Sequence, residues 1–169
     1  MHILKAGFYG SYLKELIIRY KFSPCRELSA YLAALIVPLV KSQVQISQKL
    51  WIVYVPCSSQ GLRLRGWDQM EEITNKLLDI PYVIKAPILQ RSDGKQQKIK
   101  TRAQRLGEVA GVFSLRAQLS STQLEKLPTP DRIVVIDDVY TTGATMHECI
   151  KILKLHFTCS VSGICLAMD

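Results

Sequence analysis

Two adjacent aspartates, Asp137 and Asp138, close the apolar run 133–136. After Val139 and Tyr140 comes a stretch of small hydroxyl residues, Thr141-Thr142-Gly143-Ala144-Thr145. Consecutive residues of a strand point to opposite faces, so the two acids have different jobs. One can accept hydrogen bonds from a vicinal diol, and the other can orient a neighbour or a hydrated cation. A loop of small residues that runs into a helix lets backbone N–H groups converge on a phosphate at the helix N-terminus. Thr141, Thr142 and Thr145 add hydroxyl donors, and Gly143 lets the backbone approach closely. Acids that bind a diol, set beside a phosphate cradle over residues 140–145, describe a ribose 5-phosphate site. Each feature alone is common at strand ends and capped helices, so the reading rests on their full order.

Other phosphate chemistries lack their residues. The chain has no G-x-x-x-x-G-K-[ST] loop and no G-x-G-x-x-G turn. His147-Glu148 begins like a zinc-protease motif, but Lys151 stands where the second histidine belongs. The five cysteines show no C-x-x-C spacing, so neither a zinc knuckle nor a redox pair is expected. Cys149 and Cys165 sit among apolar neighbours and read as small core residues.

The elements that must position the site follow from periodicity. Apolar residues at 12, 13, 16, 17 and 20 predict a helix over 12–22, stopped by Ser23-Pro24. A second helix is predicted over 27–40. Residues 50–55 (LWIVYV), closed by Pro56, have the β-branched and aromatic content of a buried strand, as does 132–136. A helix is expected over 66–78, a weak strand over 82–84, a helix over 145–155 and a closing strand over 161–167. Strand and helix alternate from residue 50 onward, which predicts a parallel α/β sheet flanked by helices. Segment 89–105 is polar and shows no core pattern, and 120–130 reads as a surface loop.

Composition sets outer bounds. At 169 residues and 48% hydrophobic content, one domain with a proper core is expected. The most apolar stretch, 31–40, is half the ~20 residues that a membrane span needs, so no membrane insertion is expected. Unpaired thiols fit a cytoplasmic location. The net charge of +8 favours polyanionic partners, phosphorylated ligands or nucleic acid, unless it only keeps the surface soluble.

Residues 133–145 (IVVIDDVYTTGAT) strongly resemble the 5-phosphoribosyl-1-pyrophosphate (PRPP) motif of type I phosphoribosyltransferases. That pattern is an apolar strand, two acids, an apolar residue, any residue, two Thr or Ser, Gly, any residue, then Thr or Ser. By this resemblance Asp137 and Asp138 bind the ribose hydroxyls, and Tyr140, Thr141, Thr142, Gly143, Ala144 and Thr145 hold the 5′-phosphate. Magnesium is implied too, held mainly by PRPP with no direct protein ligand. Val55-Pro56-Cys57 followed by Arg63-Leu64-Arg65-Gly66-Trp67-Asp68-Gln69 is similar to a pattern of the ComF competence proteins. So are Tyr9-Gly10 through Tyr20-Lys21-Phe22, Gln97, Arg105 and Gly111-Val112-Phe113. Many ComF proteins open with a four-cysteine zinc ribbon, and the expectation here is a domain without one. The family often has Asn where Glu108 stands.

On this resemblance the whole chain, 1–169, is expected to form a single phosphoribosyltransferase-like domain, with N-terminal helices within 9–42 and a PRPP-binding core over 50–169. After the 50–55 strand, Cys57, Ser58 and Ser59 suit backbone binding of pyrophosphate, with Arg63 and Arg65 opposite as added charge. The alternative for the two arginines is a solvated basic loop. Between Lys85 and Arg105 lie seven cations against Asp93, most of the chain's net charge. Such a segment could close over pyrophosphate. Equally, it could follow a nucleic-acid backbone through Lys95, Lys98, Lys100 and Arg102, or it could be plain surface. Trp67 reads as a core anchor before a base-stacking platform.

Three function classes fit: a true transferase, a PRPP-sensing or nucleic-acid-handling module, and a scaffold with a vestigial site. Residues after Gly143 are consumed by one helix and one strand, so an acceptor pocket must come from the N-terminal helices or a partner. The expectation is a PRPP-binding, phosphoribosyltransferase-like competence protein acting in DNA uptake and natural transformation. Single-stranded DNA and the uptake machinery are its candidate partners. The alternative is an active phosphoribosyltransferase that moves ribose 5-phosphate to an unidentified acceptor base.

Overall fold

The computed structural model describes residues 2–23, 25–92, 111–116 and 127–169. Along them run β1 (Ile3–Phe8), α1 (Ser11–Phe22), α2 (Leu28–Lys41), β2 (Leu50–Tyr54), α3 (Ser59–Arg65) and α4 (Gln69–Asn75). Next come β3 (Val83–Lys85), β4 (Leu89–Arg91), β5 (Phe113–Leu115), β6 (Arg132–Tyr140), α5 (Ala144–His156) and β7 (Ser160–Met168). Five strands form one sheet in the order β1-β7-β6-β2-β3, with every pairing parallel. β4 and β5 pair antiparallel as a separate ribbon.

The central strands are apolar on both faces because both faces are covered. Leu50, Ile52 and Tyr54 join Val134 and Ile136 under α1, α2 and α4. Trp51, Val53, Ile133 and Val135 pack on the other side beneath α5, with Met146, Cys149, Ile150 and Leu153. Each such aliphatic side chain, fully buried, stabilises the fold by roughly 1.5–3 kcal/mol. The buried Trp51 indole satisfies its N–H by donating to the Pro128 carbonyl at 3.0 Å. The register is therefore fixed: a one-residue slip of β6 would exchange the two faces and turn Asp138 towards α5.

Three expectations change. The helix predicted over 66–78 is shorter, α4 over Gln69–Asn75, and a separate helix, α3, precedes it at Ser59–Arg65 where a loop was expected. Gly66, with φ +78°, ends α3 in the left-handed region, and Asp68 restarts the chain by accepting from the Met70 and Glu71 amides. The start of segment 89–105, read as patternless, is the strand β4. A fifth sheet strand, β1, precedes the N-terminal helices and pairs with β7 from Ile3↔Gly163 to Phe8↔Met168. Among the described residues, no helix is long and apolar enough to cross a membrane.

Candidate functional site

β6 carries Asp137 and Asp138 as its last buried residues, and α5 opens after the turn 141–143. Asp137 and residues 139–146 line one small cavity of about 30 Å³ at this turn. The sequence-predicted Asp137, Tyr140, Thr141, Thr142, Gly143, Ala144 and Thr145 are thus brought together. Gly143 has φ +76°, and a Cβ there would run into the Tyr140 ring. That ring lies against the turn, its hydroxyl 3.2 Å from His147 Nε2. The Ala144 amide leans on Thr142 Oγ1 at 3.4 Å, and the first α5 bond runs from the His147 amide to the Gly143 carbonyl at 2.8 Å. The amides of the first turn ahead of His147 have no acceptor within their own helix, and they face the positive end of its dipole.

Asp138 points the other way, as strand geometry requires. Its Oδ2 pairs with Lys21 Nζ at 2.7 Å and accepts from Gln69 Nε2 at 3.3 Å. Tyr20 Oη donates to the Gln69 carbonyl at 2.8 Å, so the end of α1, the start of α4 and the second acid form one network. The Asp137 carboxyl is held well above the usual carboxylate range, by burial first and by the Asp138 charge second. Lys21 and Arg91 oppose that rise without cancelling it. The acid pair is short of positive charge on the Asp137 side. Among the described residues no three His, Cys, Asp or Glu side chains gather as a metal cage.

The second half of the predicted site is arranged differently from expectation. The Cys57 amide, expected to bind pyrophosphate, donates to Asp68 Oδ2 at 2.8 Å. Burial and Asp68 push its thiol up to about 11, leaving it neutral. Ser58 caps α3 by accepting from the Gly61 amide at 3.0 Å, and Ser59 lies within that helix rather than in an open loop. Arg63 is exposed on α3. Arg65 is half-buried and faces a groove of about 420 Å³, shared with Lys21, Phe22, Ser23, Leu64 and Trp67. Trp67 packs on Tyr20 with ring centroids 4.9 Å apart, in keeping with a core anchor that also shows a face to the groove. Lys85, counted with the basic segment, is taken by Glu71 at 3.2 Å and by Asn75 Oδ1 at 2.6 Å. Lys95, Lys98, Lys100 and Arg102 lie outside the described residues, as do Gln97, Arg105 and Glu108.

Sequence reasoning missed Lys21, Gln69 and Asp68 as parts of the site. Lys21 sits in Tyr20-Lys21-Phe22 and the other two in the Trp67-Asp68-Gln69 run. The available signal was that charged and amide groups stand where a helix ends or begins.

Comparison with known proteins points the same way as these motifs. No family model matches the chain. The chain is 25% identical over 146 residues, 86% of its length, to the competence protein ComFC of Streptococcus pneumoniae. That match spans 59% of the relative's own length. A hypoxanthine phosphoribosyltransferase from Staphylococcus aureus overlays 85% of this chain and 65% of its own at 13% identity, with a TM-score of 0.48. That overlay is too loose to carry any residue across. The ComFC match, the two-acid strand end and the turn into α5 together make the chain similar to the ComF competence proteins.

Proposed function

We propose that the chain binds PRPP with magnesium and serves competence, the uptake of single-stranded DNA in natural transformation. The observation that carries this is the turn cavity lined by Asp137 and residues 139–146. A 5′-phosphate accepts from the first-turn amides of α5 and from the Thr141, Thr142 and Thr145 hydroxyls. The ribose hydroxyls donate to Asp137 and Asp138. The raised Asp137 carboxyl fits a magnesium-bearing ligand, because a cation supplies the positive charge that this buried acid lacks. The metal is held mainly by the ligand's own oxygens, without a direct protein ligand. Arg63 and Arg65 remain the candidate charges for the pyrophosphate end. A cytoplasmic location goes with this reading, and the five cysteines are all unpaired. Single-stranded DNA would be engaged through Lys95, Lys98, Lys100 and Arg102.

Calorimetric titration with PRPP and magnesium, with and without single-stranded DNA, tests the reading. Asp137→Asn with Asp138→Asn should abolish PRPP binding in a protein that still unfolds cooperatively. Wild-type affinity in that double variant would sink the assignment.

A further inference from the structure

The ammonium that α1 sends to the acid pair sits on an oxygen that the proposed sugar needs. Lys21 Nζ lies 2.7 Å from Asp138 Oδ2, and Gln69 Nε2 donates to the same oxygen at 3.3 Å. The two side chains of the ion pair are 23% and 13% exposed, so water screens it far less than a surface pair. Gln69 is fixed from behind, its carbonyl accepting from Tyr20 Oη at 2.8 Å. Its amide turns the NH2 group to the carboxylate, which leaves Gln69 Oε1 buried and without a partner among the described residues. A buried amide oxygen left unpaired costs free energy until a donor reaches it. Asp138 Oδ2 and Gln69 Oε1 are thus two acceptors separated by a single amide group, with an ammonium seated on the first. Lys21 also lines the groove it shares with Phe22, Leu64 and Trp67, so its four-carbon stem has open space to turn into.

We propose that Lys21 is a displaceable plug on this pair of acceptors. A vicinal diol gives one hydroxyl to Asp138 Oδ2 and the other to Gln69 Oε1, and turns the ammonium out into the groove. Two O–H donors match two acceptors, whereas the seated ammonium satisfies Oδ2 and leaves Oε1 unpaired. A phosphate without a diol has no donor for these oxygens and leaves the plug in place. Lys21 is thereby a specificity residue, acting by competition. While the ammonium is seated the acceptors are closed to the diol, so the observed affinity is the intrinsic one reduced by the open fraction. The inference rests on the proposed sugar-phosphate reading for the ligand, and adds to it what the diol must displace.

Lys21→Met keeps an apolar stem and removes the charge. Calorimetry reads ribose 5-phosphate and 2-deoxyribose 5-phosphate against wild type and variant. The ratio of the two dissociation constants cancels any pull of the ammonium on the phosphate. In Lys21→Met the preference for the ribose form should rise by roughly threefold or more, because the diol no longer competes with a seated charge. Lys21→Arg, which keeps the charge, should not raise it, and Gln69→Met should lower it. Wild type gives a second readout that needs no variant. An ammonium turned out beside Trp67 changes that indole's fluorescence, so ribose 5-phosphate should shift the emission and inorganic phosphate should not; Trp51 is buried beneath α5. A preference that Lys21→Met leaves unchanged or lowers, or that Gln69→Met leaves unchanged, overturns the inference. So does an equal emission change with inorganic phosphate. In each of those cases the sugar reading stands as long as the sugar phosphates bind. If neither binds wild type or variant, the reading and the inference fall together.

Discussion

Asp137→Asn should make the protein more stable at neutral pH while weakening its ligand site. The Asp137 carboxyl is raised by burial and by Asp138, so the folded chain keeps a proton that the unfolded chain releases near pH 3.9. Between the unfolded and the folded pKa, the folded state holds more protons. Stability from this group is therefore full below the unfolded value and is lost as pH rises towards the folded one. The loss is at most about 1.4 kcal/mol per pH unit. Between pH 5 and pH 7 the wild type then gives up as much as about 2.7 kcal/mol that the asparagine variant does not. Asparagine preserves the local hydrogen bond, because its side-chain oxygen can still accept from the Asp138 amide, now 2.9 Å from Asp137 Oδ1. Urea unfolding of both proteins at pH 5, 6 and 7 measures the difference directly, and other titrating groups cancel in the subtraction. The variant's advantage should grow with pH. An advantage that stays flat, or shrinks as pH rises, would show that the buried acid is not the strained group described here.

Two further outcomes follow from the same geometry and a third from the charge pattern of the sequence. Thr142→Val should weaken ribose 5-phosphate and PRPP alike by ~1.5–3 kcal/mol, read by calorimetry; loss of PRPP alone would place Thr142 at the pyrophosphate. Gly143→Ala should destabilise by roughly 1–2 kcal/mol from the left-handed backbone alone, and should weaken phosphate binding by displacing Tyr140, which thermal unfolding and titration test together. Replacing Lys95, Lys98, Lys100 and Arg102 by Gln should flatten the salt dependence of single-stranded DNA binding, whose log–log slope falls by about 0.7 per phosphate neutralised. An unchanged slope would assign those cations to plain surface.

The core strands were legible because burial on both faces writes an unbroken β-branched run, as in 50–55 and 132–136. The turn was legible because small residues, hydroxyls and one glycine between a strand and a helix mark a tight strand-to-helix connection. What escaped notice lacked such a pattern. Edge strand β1, ILKAGF, is half-buried and holds Lys5 and Gly7, so neither alternation nor an apolar run marks it; its partner β7 holds it in place. Helix α3 was read as a polar loop because residues 58–65 hold Ser, Gln and Arg with only two leucines; the Ser58 cap and the left-handed Gly66 bound it. Cys57 and Ser58 were read as a free loop because sequence does not show that Asp68, eleven residues later, returns to take the Cys57 amide.

The two acids, adjacent in sequence, are unequal in their surroundings in the fold. Asp138 faces the helices that come from the first part of the chain, where Lys21 and Gln69 meet it. Asp137 faces the turn and α5, where its own neighbours leave its carboxyl raised. A sequence shaped for stability alone would place an apolar residue at 137, as it does at 133 and 135 on the same face. Retaining a buried carboxyl there costs stability at neutral pH. Asp138 ties the N-terminal helix to the sheet, and Asp137 faces the turn cavity. The tie through Lys21 is also what brings the end of α1 to the acid pair at the end of β6.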